Sequence, residues 1–207
     1  MNRPVMPKLA FVRIPALLAV LPALALLSAC GPSAPAEPPP LEGAAIGGPF
    51  TLVNGAGETV RWSDFDGKWR MVYFGYTWCP DVCPFDLTRM MQGYNRWAEA
   101  NPELAEEVQP IFITIDPERD TPEKIAEYTA NFGTKLIGLT GTPEAIDEAA
   151  KNFSVFYSRG PDDANVGYLM QHSNAAYLMD RQGNPIALLP VDESAEGVAA
   201  ELEKWVR

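Results

Sequence analysis

The chain has 207 residues, with 27 Asp and Glu against 16 Lys and Arg for a formal net charge of -11, 47% hydrophobic residues, three Cys and a single His. That length accommodates one compact domain plus extra segments, and 21% charged residues is ordinary for a globular chain, which excludes wholesale disorder. The acidity argues against non-specific nucleic-acid binding, which needs clustered Lys and Arg, and three Cys are too few for a disulfide scaffold.

Residues 1–29 contain Arg3, Lys8 and Arg13 and no acid, so their removal leaves 13 basic against 27 acidic residues, a net charge of -14. From Ile14 to Ala29 runs an uncharged apolar stretch of 16 residues interrupted by Pro15 and Pro22. A membrane span needs about 20 apolar residues, so the stretch reads as a signal peptide. Its end, Leu27-Ser28-Ala29-Cys30, resembles the lipobox of bacterial lipoproteins and makes Cys30 the expected lipid-attachment residue. An uncleaved anchor, or an ordinary signal with an incidental Cys, is the plainer alternative. Both place the domain outside the cytosol at a membrane. Residues 31–48 have five Pro in their first ten positions and no periodic apolar face, the mark of an extended linker. Residues 30–48 are thus expected as a lipid-anchored linker and 49–207 as the domain.

Within that domain, Phe50 to Val53 and Thr59 to Trp62 flank Asn54-Gly55 and read as a short hairpin. Trp69 to Tyr76 and Val108 to Ile115 are apolar runs of strand length and are the expected central strands. Between them, Leu87, Met90, Met91, Tyr94 and Trp97 recur at helical spacing within Phe85 to Ala100. Thr121-Pro122-Glu123 and Thr142-Pro143-Glu144 each match a helix start with Pro at the first helical position. Ala175 to Met179 and Ile186 to Pro190 form a second antiparallel pair around Asp180-Arg181-Gln182-Gly183-Asn184, and a last helix opens at Ser194. The alternation implies an α/β domain with a mixed sheet covered on both faces.

The chemistry concentrates in Cys79-Pro80-Asp81-Val82-Cys83-Pro84, between an expected strand and an expected helix. Pro84 suits a first helical position, which puts Cys83 near the N-cap and Cys79 in the turn before it. Both sulfurs then face the positive end of the helix, an environment that favours thiolate, the form that attacks disulfides and binds metals. An inert disulfide is the bland reading, but so short a loop removes little chain entropy. Thiol-disulfide exchange needs only these two sulfurs; metal binding needs a further donor. The one His, His172, lies just before an expected strand and is by default an ordinary surface or core residue.

YFGYTWCPDVCPFDL, the segment ITIDPERDTPE from Ile113 to Glu123, and YLMQHSNAAYLMD ending at Asp180 together resemble the Sco family of copper chaperones, in the family's order and across nearly the whole domain. The resemblance implies a thioredoxin-like fold, copper as Cu(I) or Cu(II) held by two Cys and a distant His, and delivery to the dinuclear copper centre of cytochrome c oxidase. Carried over, the ligands fall on Cys79, Cys83 and His172. It further implies the copper-receiving oxidase subunit as partner, with room for another copper chaperone or a thiol reductase, at the periplasmic face of the inner membrane. Two thiolates and an imidazole suit copper, whereas a structural zinc usually takes four protein ligands. The runner-up is a thiol-disulfide oxidoreductase acting on cysteines of that subunit through Cys79 and Cys83; a redox sensor on the same scaffold is a third. Asp81 is read as a rim or turn residue, Met170 and Met179 as core, and Asp116 to Asp120 as a docking loop or a charged loop ordered by Arg-carboxylate pairs. Gln171 departs from the Asp common before the His in this family.

Overall fold

The computed structural model describes residues 37–164 and 167–207. The expected signal peptide at 1–29, Cys30 and the linker up to residue 36 lie outside the described residues. The compact unit begins at Pro38, before the expected start near Pro49. Leu41 N–H donates to the Ile186 carbonyl at 3.0 Å and Gly47 N–H to that of Asn152 at 2.8 Å, so backbone pairing draws the last linker residues onto the domain.

In chain order the elements are β1 (Thr51–Asn54), β2 (Thr59–Arg61), β3 (Trp69–Gly75), α1 (Val82–Ala100), α2 (Pro102–Ala105), β4 (Val108–Thr114), α3 (Pro122–Thr129), β5 (Ile137–Thr140), α4 (Pro143–Asn152), β6 (Tyr157–Arg159), β7 (Met170–His172), β8 (Ala176–Met179), β9 (Pro185–Leu189) and α5 (Ala195–Trp205). Seven strands form one mixed sheet in the order β2-β1-β5-β4-β3-β8-β9. β3, β4 and β5 are parallel, while β1 and β8 run antiparallel to their neighbours. Every residue of β3 and β4 is buried, as their continuous apolar runs require of parallel strands covered on both faces.

Tyr73, Phe112 and Gly138 align across β3, β4 and β5 and therefore share a face. Phe112 meets Tyr128 of α3, and the bare Gly138 admits Ile125 and Thr129 of the same helix. On the opposite face Phe74 and Tyr177 pack around Phe153, which follows α4, with Trp62 against its far side. Helices thus cover both faces, and the thioredoxin-like α/β architecture is the expected one. Thr121, Thr142 and Ser194 cap α3, α4 and α5 through their side-chain oxygens, each cap contributing about 1 kcal/mol.

Two features differ from the sequence-based expectation. β5 is a central strand of four residues, too short and too close to its helices to stand out as a periodic run. β6 and β7 form a separate two-stranded sheet, in which His172 ends β7 opposite Tyr157. His172 is therefore carried by its own hairpin and not by a loop running directly into β8.

Gly93 sets the approach of α5 to α1. A Cβ there would lie 2.6 Å from the Ala195 carbonyl oxygen and 2.6 Å from Val198 Cβ. Gly93→Ala gains about 1 kcal/mol of helix propensity but overpacks a contact made partly of backbone, which costs about 1 to 3 kcal/mol. The expected net result is a lowered urea midpoint with an unchanged m-value.

Candidate metal centre

The Cys-bearing turn leaves the C-terminal end of β3 and enters α1. The helix begins at Val82 with Asp81 as N-cap, one turn earlier than the apolar spacing indicates. Cys83 thus occupies the second helical position and Pro84 the third; the missing N–H of Pro84 is tolerated because the first-turn donors have no intrahelical partner. Gly75 makes room for the buried sulfur, since a Cβ there would stand 3.0 Å from Cys83 Sγ and equally close to the Phe112 and Tyr73 rings.

Cys79, Cys83 and His172 come together, with their ligand atoms all within 4.8 Å of one another. Cys83 Sγ lies 3.4 Å from His172 Nε2, and Cys83 N–H donates to Cys79 Sγ at 3.4 Å. Both cysteines are free thiols, Cys79 partly exposed and Cys83 buried. His172 Nδ1 is 2.8 Å from the Ser173 carbonyl, which can only accept, so Nδ1 carries a proton. Nε2 then faces the sulfurs, and the edge-on Tyr76 ring, 6.0 Å away between centroids, limits rotation of the imidazole.

The two sulfurs share one proton unequally. The hydrogen bond from Cys83 draws the Cys79 thiol down to about 3 against the opposing effect of burial, with further help from His172 and the backbone N–H groups of Cys83 and Asp81. Cys83 moves the other way, because its proton is held in the bond to Cys79 and burial penalises its anion. The half-exposed sulfur is the thiolate and the buried one the thiol.

A cavity of about 750 Å³ opens over the cluster. Cys79, Asp81 and Val82 line one wall; Leu169, Met170 and His172 line the other. Asp81 is exposed at its rim. Gln171 is exposed, Met179 is fully buried in the core, and Met170 both packs against the core and lines the cavity. Val82 and Leu169 line the cavity as exposed apolar residues, and Trp78 and Phe85, close by in the chain, are 56% and 58% exposed.

Sequence reasoning singled out Asp116 to Asp120 as a docking loop or a charged loop ordered by Arg-carboxylate pairs, and Arg119 does pair with Asp116, but it missed how these residues hold the site together. Asp120 accepts from Thr77 N–H at 3.0 Å, Thr77 Oγ1 at 2.6 Å and Thr114 Oγ1 at 2.6 Å, which ties the Cys-bearing turn to the end of β4. Asp116 and Arg119 reach instead to Tyr168, on the segment leading to His172. The signal available was the density of charge in Asp116 to Asp120 immediately after an apolar strand; its partners lie too far along the chain to be read.

Residues 38–207 match the SCO1/SenC family. The chain belongs to that family. It is 39% identical over 164 residues to the human mitochondrial SCO1 homolog, covering 78% of this chain and 53% of that protein. With SenC of Rhodobacter capsulatus it shares 43% identity over 157 residues, covering 75% of this chain and 68% of that one. The chain spans about half the length of the human protein and of the Arabidopsis thaliana SCO1 homolog 1. Among solved structures, copper-bound ScoI of Arabidopsis thaliana superposes with a TM-score of 0.70 at 36% identity, covering 77% of this chain and 96% of that one. Copper-bound ScoI of Bradyrhizobium japonicum gives 0.69 at 35%, covering 77% and 99%. The SCO1/SenC membership accounts for the fold and for the order of the three motifs. Among the described residues no helix is long and apolar enough to cross a membrane.

The unequal sulfurs have a measurable consequence. An ordinary thiol, near 9, loses tenfold in thiolate for each pH unit below that value, whereas a group at about 3 stays ionised down to pH 4. Iodoacetamide should therefore label Cys79 at a nearly constant rate from pH 7 to pH 4, with Cys83 unlabelled, as read by peptide mass mapping of the reduced protein.

Proposed function

We propose that this protein is a copper metallochaperone, holding copper through Cys79 Sγ, Cys83 Sγ and His172 Nε2 and delivering it to the dinuclear copper centre of cytochrome c oxidase. The observation that carries this reading is the convergence of two sulfurs and an imidazole nitrogen, from segments about ninety residues apart, beside a cavity that Cys79 and His172 line. Soft thiolates with one imidazole suit Cu(I) and are tolerated by Cu(II). Three protein donors leave a coordination position open on the cavity side. A partner's thiolate or imidazole can occupy it before one of the chaperone's ligands leaves, so copper passes by ligand exchange without being released to water. The copper-bound ScoI relatives support the choice of metal.

The same reading takes residues 1–29 as a cleaved signal, Cys30 as the lipid-attachment residue and the Pro-rich residues after it as a tether, which would hold the domain at the periplasmic face of the inner membrane. Confinement to that surface raises the effective concentration against a membrane-bound partner. A partly exposed thiolate beside a buried thiol is also the arrangement that dithiol exchange uses, and it favours thiol-disulfide exchange with the oxidase subunit as a second reading.

Adding Cu(II) to the reduced protein should produce an intense sulfur-to-copper charge-transfer band at one equivalent. Cys79→Ala and Cys83→Ala should abolish that band, and His172→Ala should weaken binding by at least about tenfold. In cells relying on each variant, all three should fail to mature the oxidase. Normal maturation with His172→Ala, alongside failure of both Cys variants, would favour the exchange reading.

A further inference from the structure

We propose that Arg119 is the positioning residue of the metal centre, holding the hairpin that carries His172 against the Cys-bearing turn. The proposal rests on the copper-site reading above and adds to it the group that sets the distance between its two halves. β7 has no ladder hydrogen bond to the main sheet, since β6 and β7 pair only with each other. Beyond the three residues that link His172 to β8, side-chain contacts fix where it sits.

Arg119 is built to do this. Its Nε donates to Asp116 Oδ2 at 2.5 Å, and its Nη1 donates to the Tyr168 carbonyl at 2.9 Å. Its guanidinium carbon stands 3.6 Å from the centre of the Tyr168 ring, whose hydroxyl donates to Asp116 Oδ1 at 2.8 Å. Arg119 and Asp116 thus grip Tyr168 at its carbonyl, its ring face and its hydroxyl, four residues before His172. The same guanidinium lies 5.8 Å from the Tyr76 ring and 5.6 Å from that of Trp78, the residues flanking Thr77 ahead of Cys79. Its Nη2 is buried without a hydrogen-bond partner, in a setting where ring faces take the place of an acceptor.

The loop that carries Arg119 holds the other half of the site as well. Asp120, the next residue, bonds Thr77, and its own N–H donates to the Asp116 carbonyl at 3.0 Å. A single turn, residues 116–120, therefore grips Tyr168 on one side and Thr77 on the other. Other described contacts of the hairpin are the Tyr157 hydroxyl on Asp147 at the β6 end, and Tyr76, which meets the Met170 backbone and the His172 ring at the β7 end. Lysine cannot substitute: a point charge can pair with Asp116, but lacks the planar fork that bonds Asp116 and the Tyr168 carbonyl together while stacking on the ring.

The test uses the full chain carrying Arg119→Ala, Arg119→Lys or Tyr168→Phe, the last removing only the hydroxyl bond to Asp116. In the reduced, metal-free protein, hydrogen exchange of the Gly160 and Ser173 amides, which pair across the hairpin, should accelerate about tenfold in the Arg119 variants and less in Tyr168→Phe, with β3 and β4 amides unchanged. Cu(II) affinity should fall about tenfold in Arg119→Ala, with the spectrum moving toward that of His172→Ala, while Arg119→Ala in a His172→Ala background should have no further effect. Unchanged hairpin exchange would overturn the proposal. So would equal loss of protection in β3 and β4, or the same affinity loss in both backgrounds, since either marks general destabilisation. If Arg119→Ala does not fold, Arg119→Lys and Tyr168→Phe decide by the same exchange criterion. Absence of copper binding by the unsubstituted chain would refute the copper-site reading instead, leaving the exchange result to judge Arg119.

Discussion

The site depends on a buried carboxylate. Asp120 sits at the C-terminal end of the parallel strands, where burial, aided by the nearby Asp116, pushes its carboxyl group up and the donors from Thr114 and Thr77 pull the other way. Its carbonyl also accepts from Thr140 Oγ1 at 2.7 Å, so the ends of β4 and β5 and the Cys-bearing turn meet at one residue. A buried polar group that lost these partners would cost about 1 to 3 kcal/mol, which makes the junction specific as well as stable. The position of Cys79 follows from it, because Thr77 is held at two atoms and only Trp78 intervenes.

From that junction the division of labour between the two sulfurs follows. Helix α1 starts at Val82 and drives Cys83 down against the bare face of Gly75, where no water reaches its sulfur. Cys79 remains in the turn, half exposed at the cavity floor, and receives the hydrogen bonds that favour its anion. The rings of Trp78 and Phe85, on either side of the two cysteines in the chain, are exposed although large rings are normally buried.

Much of the fold was legible in the chain. β3 and β4 showed as apolar runs because parallel strands are buried on both faces, and α1, α3, α4 and α5 showed through their spacing or through Thr-Pro and Ser starts. β5 was not legible, because four residues between two helices carry too little period. The β6–β7 hairpin was hidden for a different reason: its strands of three residues lie outside the main sheet and alternate too briefly to leave a pattern. The start of α1 was placed late because Pro84 was read as its first residue, whereas a helix accepts Pro anywhere in its first turn.

The sequence by itself determined the chemistry available: two cysteines separated by three residues at a strand-to-helix turn, one imidazole, and a surplus of acid. Residue type and local spacing are enough for that, since thiols, imidazole and turn geometry are properties of short segments. Only the tertiary structure decided that His172 reaches the sulfurs, which sulfur is buried, and that residues 116–120 hold both halves of the site. Those outcomes depend on contacts between segments roughly forty to ninety residues apart, and such contacts exist only once the sheet has brought the ends of β3 and β4 beside the separate hairpin.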